Sequence, residues 1–450
     1  MKNQVSLTEG SIVGHFLRLT PPMILGAFSI IVFNLVDTFF ISKLGGEPLA
    51  AISFTFPVIM VIGALAHGVG MGAASVLSRA IGGGDHKRVQ RLTTDGLLLS
   101  VVIVTLVSSL GLIFLNPMFR LLGAGEVLIP LIRSYMVLWF ATVAFMIIPM
   151  VGNNSIRAAG NTLFPGLIMA FSGLINAVLD PIFIFGYLGF PAMGIKGAAL
   201  ATAIARAFSL VVALYVMHRR FNLITWKMPI FRDFLTSCRA ILHIGIPATL
   251  TNLMVPLYIA VAIRLISGYG QSAVAAVGAA TRIEQLVLIL PLALGSVLVP
   301  FTGQNWGAGR KERVRKAVET AFIIVAAWGL LSWAGLALFR FQLAALFSND
   351  PDIVSTMTFY LAVIPLSHAS LGICHQLSTF FNAAKKPLSS TVLNGIRLFV
   401  IALVPAVIGS VTGGLKGLLI GLAAGQFLSG PFGLIWYFKI RRGTLSEPDR

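Results

Sequence analysis

Twelve stretches, at about 18–41, 49–80, 94–117, 129–157, 164–186, 196–217, 241–268, 273–304, 319–340, 354–382, 389–411 and 416–438, are long and apolar enough to cross a bilayer. Hydrocarbon offers no water to backbone N–H and C=O groups, so each stretch must satisfy its own hydrogen bonds as a helix. Together they use up most of the 450 residues and leave no room for a soluble catalytic domain. The expected fold class is therefore all-α integral membrane with twelve transmembrane helices. Charged side chains make up only 11% of the chain, against roughly 25% in an ordinary soluble one. The first apolar stretch runs past signal-peptide length with no small-residue cleavage site and is expected to stay as a helix. Cys238 and Cys374 are too few for a disulfide framework or a four-ligand zinc site.

A net charge of +18 would point to nucleic acid in a soluble protein, but here it sorts by connection. Taking the termini together with every second connection collects 22 of the 33 Lys and Arg, including Lys2, Arg441, Arg442 and Arg450. The positive-inside bias then puts both termini in the cytoplasm, and no nucleic acid is needed to explain the charge.

Slid against itself by 225 residues, the chain brings unusual features into register. Pro22 meets Pro247, Gly82-Gly83-Gly84 meets Gly307-Ala308-Gly309, and Ala158-Ala159 meets Ala383-Ala384. Near the end the offset shrinks to 220, where Gly194-Ile195-Lys196-Gly197 meets Gly414-Leu415-Lys416-Gly417. Each half holds an even number of spans, so the halves are expected as two pseudo-twofold-related six-helix bundles about an axis along the membrane normal, with the pathway between them. The expected organisation is a first lobe over 1–217, a basic and aromatic cytoplasmic linker over 218–240, and a second lobe with its tail over 241–450.

Three of the fifteen acids, Asp37, Asp180 and Glu284, fall well inside apolar stretches. A carboxylate there costs at least about 2.5–3.5 kcal/mol, so it needs a polar cavity, a partner or a proton. Asp37 lies about 28 Å along the first span and Asp180 about 24 Å along the fifth, both in the outer half. Asn176, one turn before Asp180, shares its face; Thr202 and Tyr135 enter the sixth and fourth spans to the same level. At the 225 offset Asp37 corresponds to Ala262, Asn176 to Ile401 and Asp180 to Pro405, so the acid cluster is expected in one lobe only. Coupled acids can share a proton, and Pro21 and Pro22 remove backbone donors from the Asp37 helix, which allows it to bend. The same oxygens of Asp37, Asp180, Asn176 and Thr202 would also suit sodium. Glu284, with Arg282 beside it and Arg264 on the preceding span, reads as an internal ion pair.

The chain resembles the multidrug and toxic compound extrusion (MATE) transporters. The resemblance rests on the Pro-Pro pair opening the first span, on Asn34-Leu35-Val36-Asp37, and on Gln304-Asn305-Trp306-Gly307-Ala308-Gly309. Asn176-Ala177-Val178-Leu179-Asp180-Pro181 looks like the DinF-like branch. The resemblance implies that protonation of Asp37 bends the first helix and expels substrate, with Asp180, Asn176, Thr202 and Tyr135 as its hydrogen-bonding partners. It also places Asn153, Asn154 and Met169 where similar transporters contact substrate, although Asn153 lies about 36 Å along its span, well below the acids.

No G-x-x-x-x-G-K-[ST] phosphate cradle is present, and His67, His243, His368 and His375 show no H-E-x-x-H spacing. A secondary transporter, not an enzyme, is expected: a monomeric antiporter in a prokaryotic inner membrane, without cofactor, exporting amphipathic drugs or toxic organic cations in exchange for protons. Sodium coupling is one alternative. A flippase for isoprenoid-linked lipids is the other, kept open by Arg206, Arg282 and Arg397 as phosphate partners.

Overall fold

The computed structural model describes residues 6–228 and 230–446, with side chains to residue 439. Lys2 and Arg450, and the side chains of Arg441 and Arg442, counted above toward the cytoplasmic face, lie outside the described residues. The described chain is all helical: α1 (Ile12–Ser42), α2 (Gly46–Gly82), α3 (His86–Ile113), α4 (Leu115–Leu121), α5 (Ile129–Ala141), α6 (Ala144–Ala158), α7 (Leu163–Phe185), α8 (Ile195–Tyr215), α9 (Phe231–Ser267), α10 (Gln271–Gly307), α11 (Lys311–Leu338), α12 (Arg340–Phe347), α13 (Pro351–Val363), α14 (His368–Ala383), α15 (Pro387–Gly395) and α16 (Leu403–Ser446).

The sequence repeat is written into the backbone. Helices α2 and α10 both run 37 residues and α3 and α11 both run 28, each pair displaced by 225. The glycines that open α2 and α10, Gly45 and Gly270, both take positive φ, 110° and 101°, which other residues rarely adopt. Helices break at corresponding places too: at Phe114 between α3 and α4, and at Phe339 between α11 and α12. The fourth span of each half is broken where a hydroxyl competes for helical carbonyls. Thr142 Oγ1 donates to the Leu138 carbonyl at 2.8 Å where α5 and α6 meet at 44°. Ser367 Oγ donates to the Ile364 carbonyl at 2.8 Å in the 3-10 turn Ile364–Ser367 between α13 and α14.

Among the described residues, ten helices are long and apolar enough to span, or eleven with the bent α5–α6 pair. The twelfth span lies inside the 53-residue helical stretch Pro387–Lys439, which would be about 80 Å long if straight. It is not straight. Gly413 (φ −136°) and Gly414 (φ 60°) fold α16 back on itself. A Cβ on Gly417, Gly421 or Gly425 would lie 2.1, 2.1 or 2.2 Å from the carbonyl oxygens of Gly409, Pro405 and Ile401 respectively. Small residues at four-residue spacing thus press two antiparallel arms backbone to backbone, as small residues do between membrane helices.

Two compact units emerge, one gathering Pro21–Thr249 and the other Thr8–Thr20 with Leu250 onward, so the division passes through α1 and α9. In the first unit, the non-helical stretch after the π-helical turn Val216–Arg220 is pinned along α3. Gln90 Nε2 donates to the Asn222 carbonyl, Arg91 Nη1 to the Lys227 carbonyl, and the Thr225 N–H to Thr94 Oγ1, each at 3.0 Å. Arg91 is itself held by Asp95, which is fully buried, through Nε at 2.9 Å. Helix α9 then begins at Phe231, within the stretch expected as linker and ten residues before the expected span.

Asp95→Ala is expected to lower stability by about 1–3 kcal/mol, because Arg91 loses its buried partner and its grip on Lys227. A thermal melt of the detergent-purified protein checks this. Gly421→Ala should force the hairpin arms apart and sharply reduce the folded yield, whereas Gly413→Ala, with no atom within 4 Å of its Cβ, should not. Size-exclusion profiles of the two variants provide the comparison.

Candidate functional site

The site in the first unit follows from two helix pairings. Helices α7 and α8 form an antiparallel hairpin: Ser172 Oγ donates to the Ala205 carbonyl at 2.9 Å, and a Cβ on Gly197 would lie 2.4 Å from the Phe183 oxygen. Helix α1 runs parallel to α7. A Cβ on Gly166 would meet the Pro22 oxygen at 2.2 Å, one on Gly173 the Ser29 oxygen at 3.3 Å, and one on Gly26 the Met169 Cε at 2.4 Å. Continued by two turns beyond Ser29, that register brings Asp37 level with Asp180.

Asn176 and Asp180 are completely buried and Thr202 is 4% exposed. Asn176 Nδ2 donates to Asp180 Oδ1 at 3.3 Å and to Thr202 Oγ1 at 3.2 Å. Asp37, half-buried, stands within electrostatic reach of Asp180. Three oxygens in this group, Asp37 Oδ1, Asp180 Oδ2 and Asn176 Oδ1, are shut away from water with no donor. Tyr135, only 6% exposed, lies within electrostatic reach of both acids but makes no hydrogen bond to either. Pro21 and Pro22 sit inside α1, which continues helical through both.

Of the other residues singled out in the sequence, Asn154 works as a bracket. Its Nδ2 donates to the Met150 carbonyl at 2.8 Å and its Oδ1 accepts from Arg157 at 2.6 Å. Asn153, also buried on α6, keeps an unpartnered Oδ1. Met169 packs against Gly26 on α1. None of these three joins the acids.

Arg206, which was not expected among the groups around Asp37, stands close to them. It stands within electrostatic reach of Asp37 and Tyr135, with its guanidinium 5.6 Å from the Trp139 ring centroid. The signal was present, since Arg206 follows Thr202 by four residues and shares its helix face.

The second unit holds the third acid that falls inside a span, Glu284, and gives it partners other than those expected. Glu284 Oε2 accepts from the Tyr360 hydroxyl at 2.7 Å, and Glu284 Oε1 lies 3.1 Å from His368 Nε2. The expected pairing of Glu284 with Arg282 or Arg264 does not form; Arg264 turns to Ser267 Oγ at 3.5 Å. Two residues turn a helix through about 200°, so Arg282 points away from the face of Glu284 that Tyr360 and His368 pack against. Tyr360 corresponds to Tyr135 at the 225 offset, a coincidence the sequence carried.

The MatE family profile matches the chain twice, over residues 22–182 and 247–408, which reproduces the internal repeat. A "FAD transporter" of Shewanella oneidensis is 39% identical over all of this chain and 98% of its own length. "Multidrug export protein MepA" of Staphylococcus haemolyticus is 26% identical over 94% of this chain and 93% of its own. The crystal structure of the Vibrio cholerae MATE transporter VcmN in the bent form superposes with a TM-score of 0.90 at 32% identity, covering 96% of this chain and 98% of that one. A duplicated six-helix architecture, a full-length sequence match and a full-length structural match agree: the chain is a multi-pass membrane protein of the MATE (MatE) transporter family.

Proposed function

We propose that the chain exports amphipathic aromatic compounds, flavin nucleotides and drugs among them, in exchange for protons by alternating access, and that Asp37 and Asp180 carry the proton. The pair of buried acids with unmet oxygens supports this reading most strongly. Two neighbouring carboxyls, each with an oxygen shut away from water, accommodate a shared proton better than two charges, and a proton supplies the donor that Asp37 Oδ1 and Asp180 Oδ2 lack. Asn176, holding both Asp180 and Thr202, would fix one end of this pair while Asp37 remains free to exchange. Protonation of Asp37 would alter its attraction to Arg206 and bias bending of α1 at Pro21 and Pro22. A sodium ion would use the same oxygens, but the Arg206 cation already stands beside Asp37, which disfavours adding another. The substrate class draws on the relatives named for FAD and multidrug transport.

In proteoliposomes, efflux of FAD and of ethidium should follow an imposed pH gradient and persist when sodium is replaced by choline. Transport that ignores the pH gradient but collapses without sodium would reverse the assignment. Asp37→Asn and Asp180→Asn are each expected to cut gradient-driven flux by about tenfold or more, the scale of one charged hydrogen bond. Thr202→Val, which removes one acceptor and keeps both acids, should slow flux less than either.

A further inference from the structure

Arg397 sits on the π-helical turn Ile396–Ala402, ten residues into the span that opens at Pro387, or about 15 Å along it. Only 9% of its surface is exposed. Its Nε is shut off from water and from any acceptor, and the guanidinium makes no hydrogen bond or ion pair among the described residues. The two polar side chains shown to feel its charge, Tyr258 and Cys374, already have partners. Gln426 Nε2 donates to Tyr258 Oη at 2.9 Å, Gln426 Oε1 lies 2.8 Å from Ser367 Oγ, and Cys374 donates to the Ser429 carbonyl at 3.1 Å. Tyr258 and Cys374 are within electrostatic reach of the guanidinium. Glu284, the acid that falls inside a span of this unit, is engaged by Tyr360 and His368 instead.

A guanidinium has five N–H donors in a planar fork, and in a low-dielectric interior those donors demand an acceptor. No side chain supplies one here. The fork matches a phosphate or carboxylate with two parallel hydrogen bonds. Single π-turns inside helices also recur at functional sites, where the widened turn redirects side chains. The depth of Arg397, inside the helix bundle and away from the span end, favours a phosphate carried by a transported molecule over a lipid headgroup.

We propose that Arg397 is the anion-binding residue of the second unit, receiving the phosphate of an aromatic phosphate ester such as a flavin nucleotide. The inference rests on reading the chain as an exporter of aromatic amphiphiles, and it adds the group that selects among them.

The test is the ratio of FMN to riboflavin affinity, two ligands that share the ring system and differ by one phosphate. It is read by fluorescence quenching on the full-length protein in detergent. The wild type should prefer FMN by about tenfold, as for one charge-assisted pair. Arg397→Gln should bring the ratio near one, and Arg397→Lys, which keeps the charge and loses the fork, should retain part of it. Since the ratio is taken within each variant, a change in overall affinity does not obscure it, and Arg397→Lys provides a second reading if Arg397→Gln folds poorly. A wild-type ratio near one, or an unchanged ratio in Arg397→Gln, overturns the proposal. So does loss of the wild-type preference when phosphatidylglycerol is added to the micelles, which would assign the site to lipid. Wild-type ethidium flux under a pH gradient tests the exporter reading separately: it can fail while the flavin ratio stands, and the reverse.

Discussion

The close approach of Gly166 to the Pro22 carbonyl sets the geometry of the first unit. At that point two helices meet backbone to backbone, and even a methyl group on Gly166 would overlap the oxygen at 2.2 Å. Such a contact leaves little freedom to slide, so the parallel register of α1 and α7 is fixed there and carried upward to Asp37 and Asp180. The α7–α8 hairpin, closed by Gly197 against Phe183, then brings Thr202 to the same level. The proline pair falls at the clamp itself. Because Pro21 and Pro22 carry no N–H, the carbonyls of Leu17 and Arg18 lose their helical donors just before the tight contact begins. Helix α1 is therefore weakest immediately ahead of the segment whose register the acids require.

Duplication explains what is shared between the units and makes the differences informative. Helix lengths, the positive-φ glycines at 45 and 270, and the hydroxyl-marked breaks at Thr142 and Ser367 recur, because they build the six-helix unit. The polar interior is redistributed on that common frame. Each unit keeps the tyrosine, Tyr135 or Tyr360, and each has an acid near it, Asp37 on α1 in one case and Glu284 on α10 in the other. The arginines also change helix. Arg206 lies on α8, where the 220 offset leads to Gln426, whereas Arg397 corresponds at the 225 offset to Ser172.

Much of this architecture was legible in the sequence, because spans are set by length and hydropathy and the repeat by unusual residues such as proline and glycine. The break at Gly413–Gly414 fell between the expected eleventh and twelfth spans, although the helical stretch is otherwise continuous from Pro387. The grouping of Asn176, Asp180 and Thr202 followed from depth counting, which works when helices are straight. Counting gives depth but not azimuth, and the misses follow from that. It placed Tyr135 at the right level without showing that its hydroxyl stops short of the acids. It gave Glu284 its sequence neighbour Arg282, while packing turned it toward Tyr360 and His368 on the tenth span. The start of α9 at Phe231 was obscured because a polar helix outside the apolar stretch leaves no hydropathy signal.

The acids of the two units differ in how their oxygens are satisfied. Glu284 has a tyrosine hydroxyl on one oxygen and an imidazole nitrogen at hydrogen-bond distance from the other. Hydrogen bonds to a charged group are worth about 1.5–3 kcal/mol each, so moving Glu284 would disturb both contacts together. Asp37 and Asp180 are held much more loosely. Asp180 has one amide donor at 3.3 Å, Asp37 Oδ1 has none, and one oxygen on each remains unmet. Under the proposed exchange, a proton arriving there would gain a hydrogen-bond role without first breaking one, and a proton leaving would cost few existing contacts. An exchange site needs that balance, and an anchoring site needs the opposite. Of the two loosely held acids, Asp37 lies on α1, whose hydrogen-bond ladder Pro21 and Pro22 interrupt, so under the proposed exchange its proton would be coupled to bending of that span.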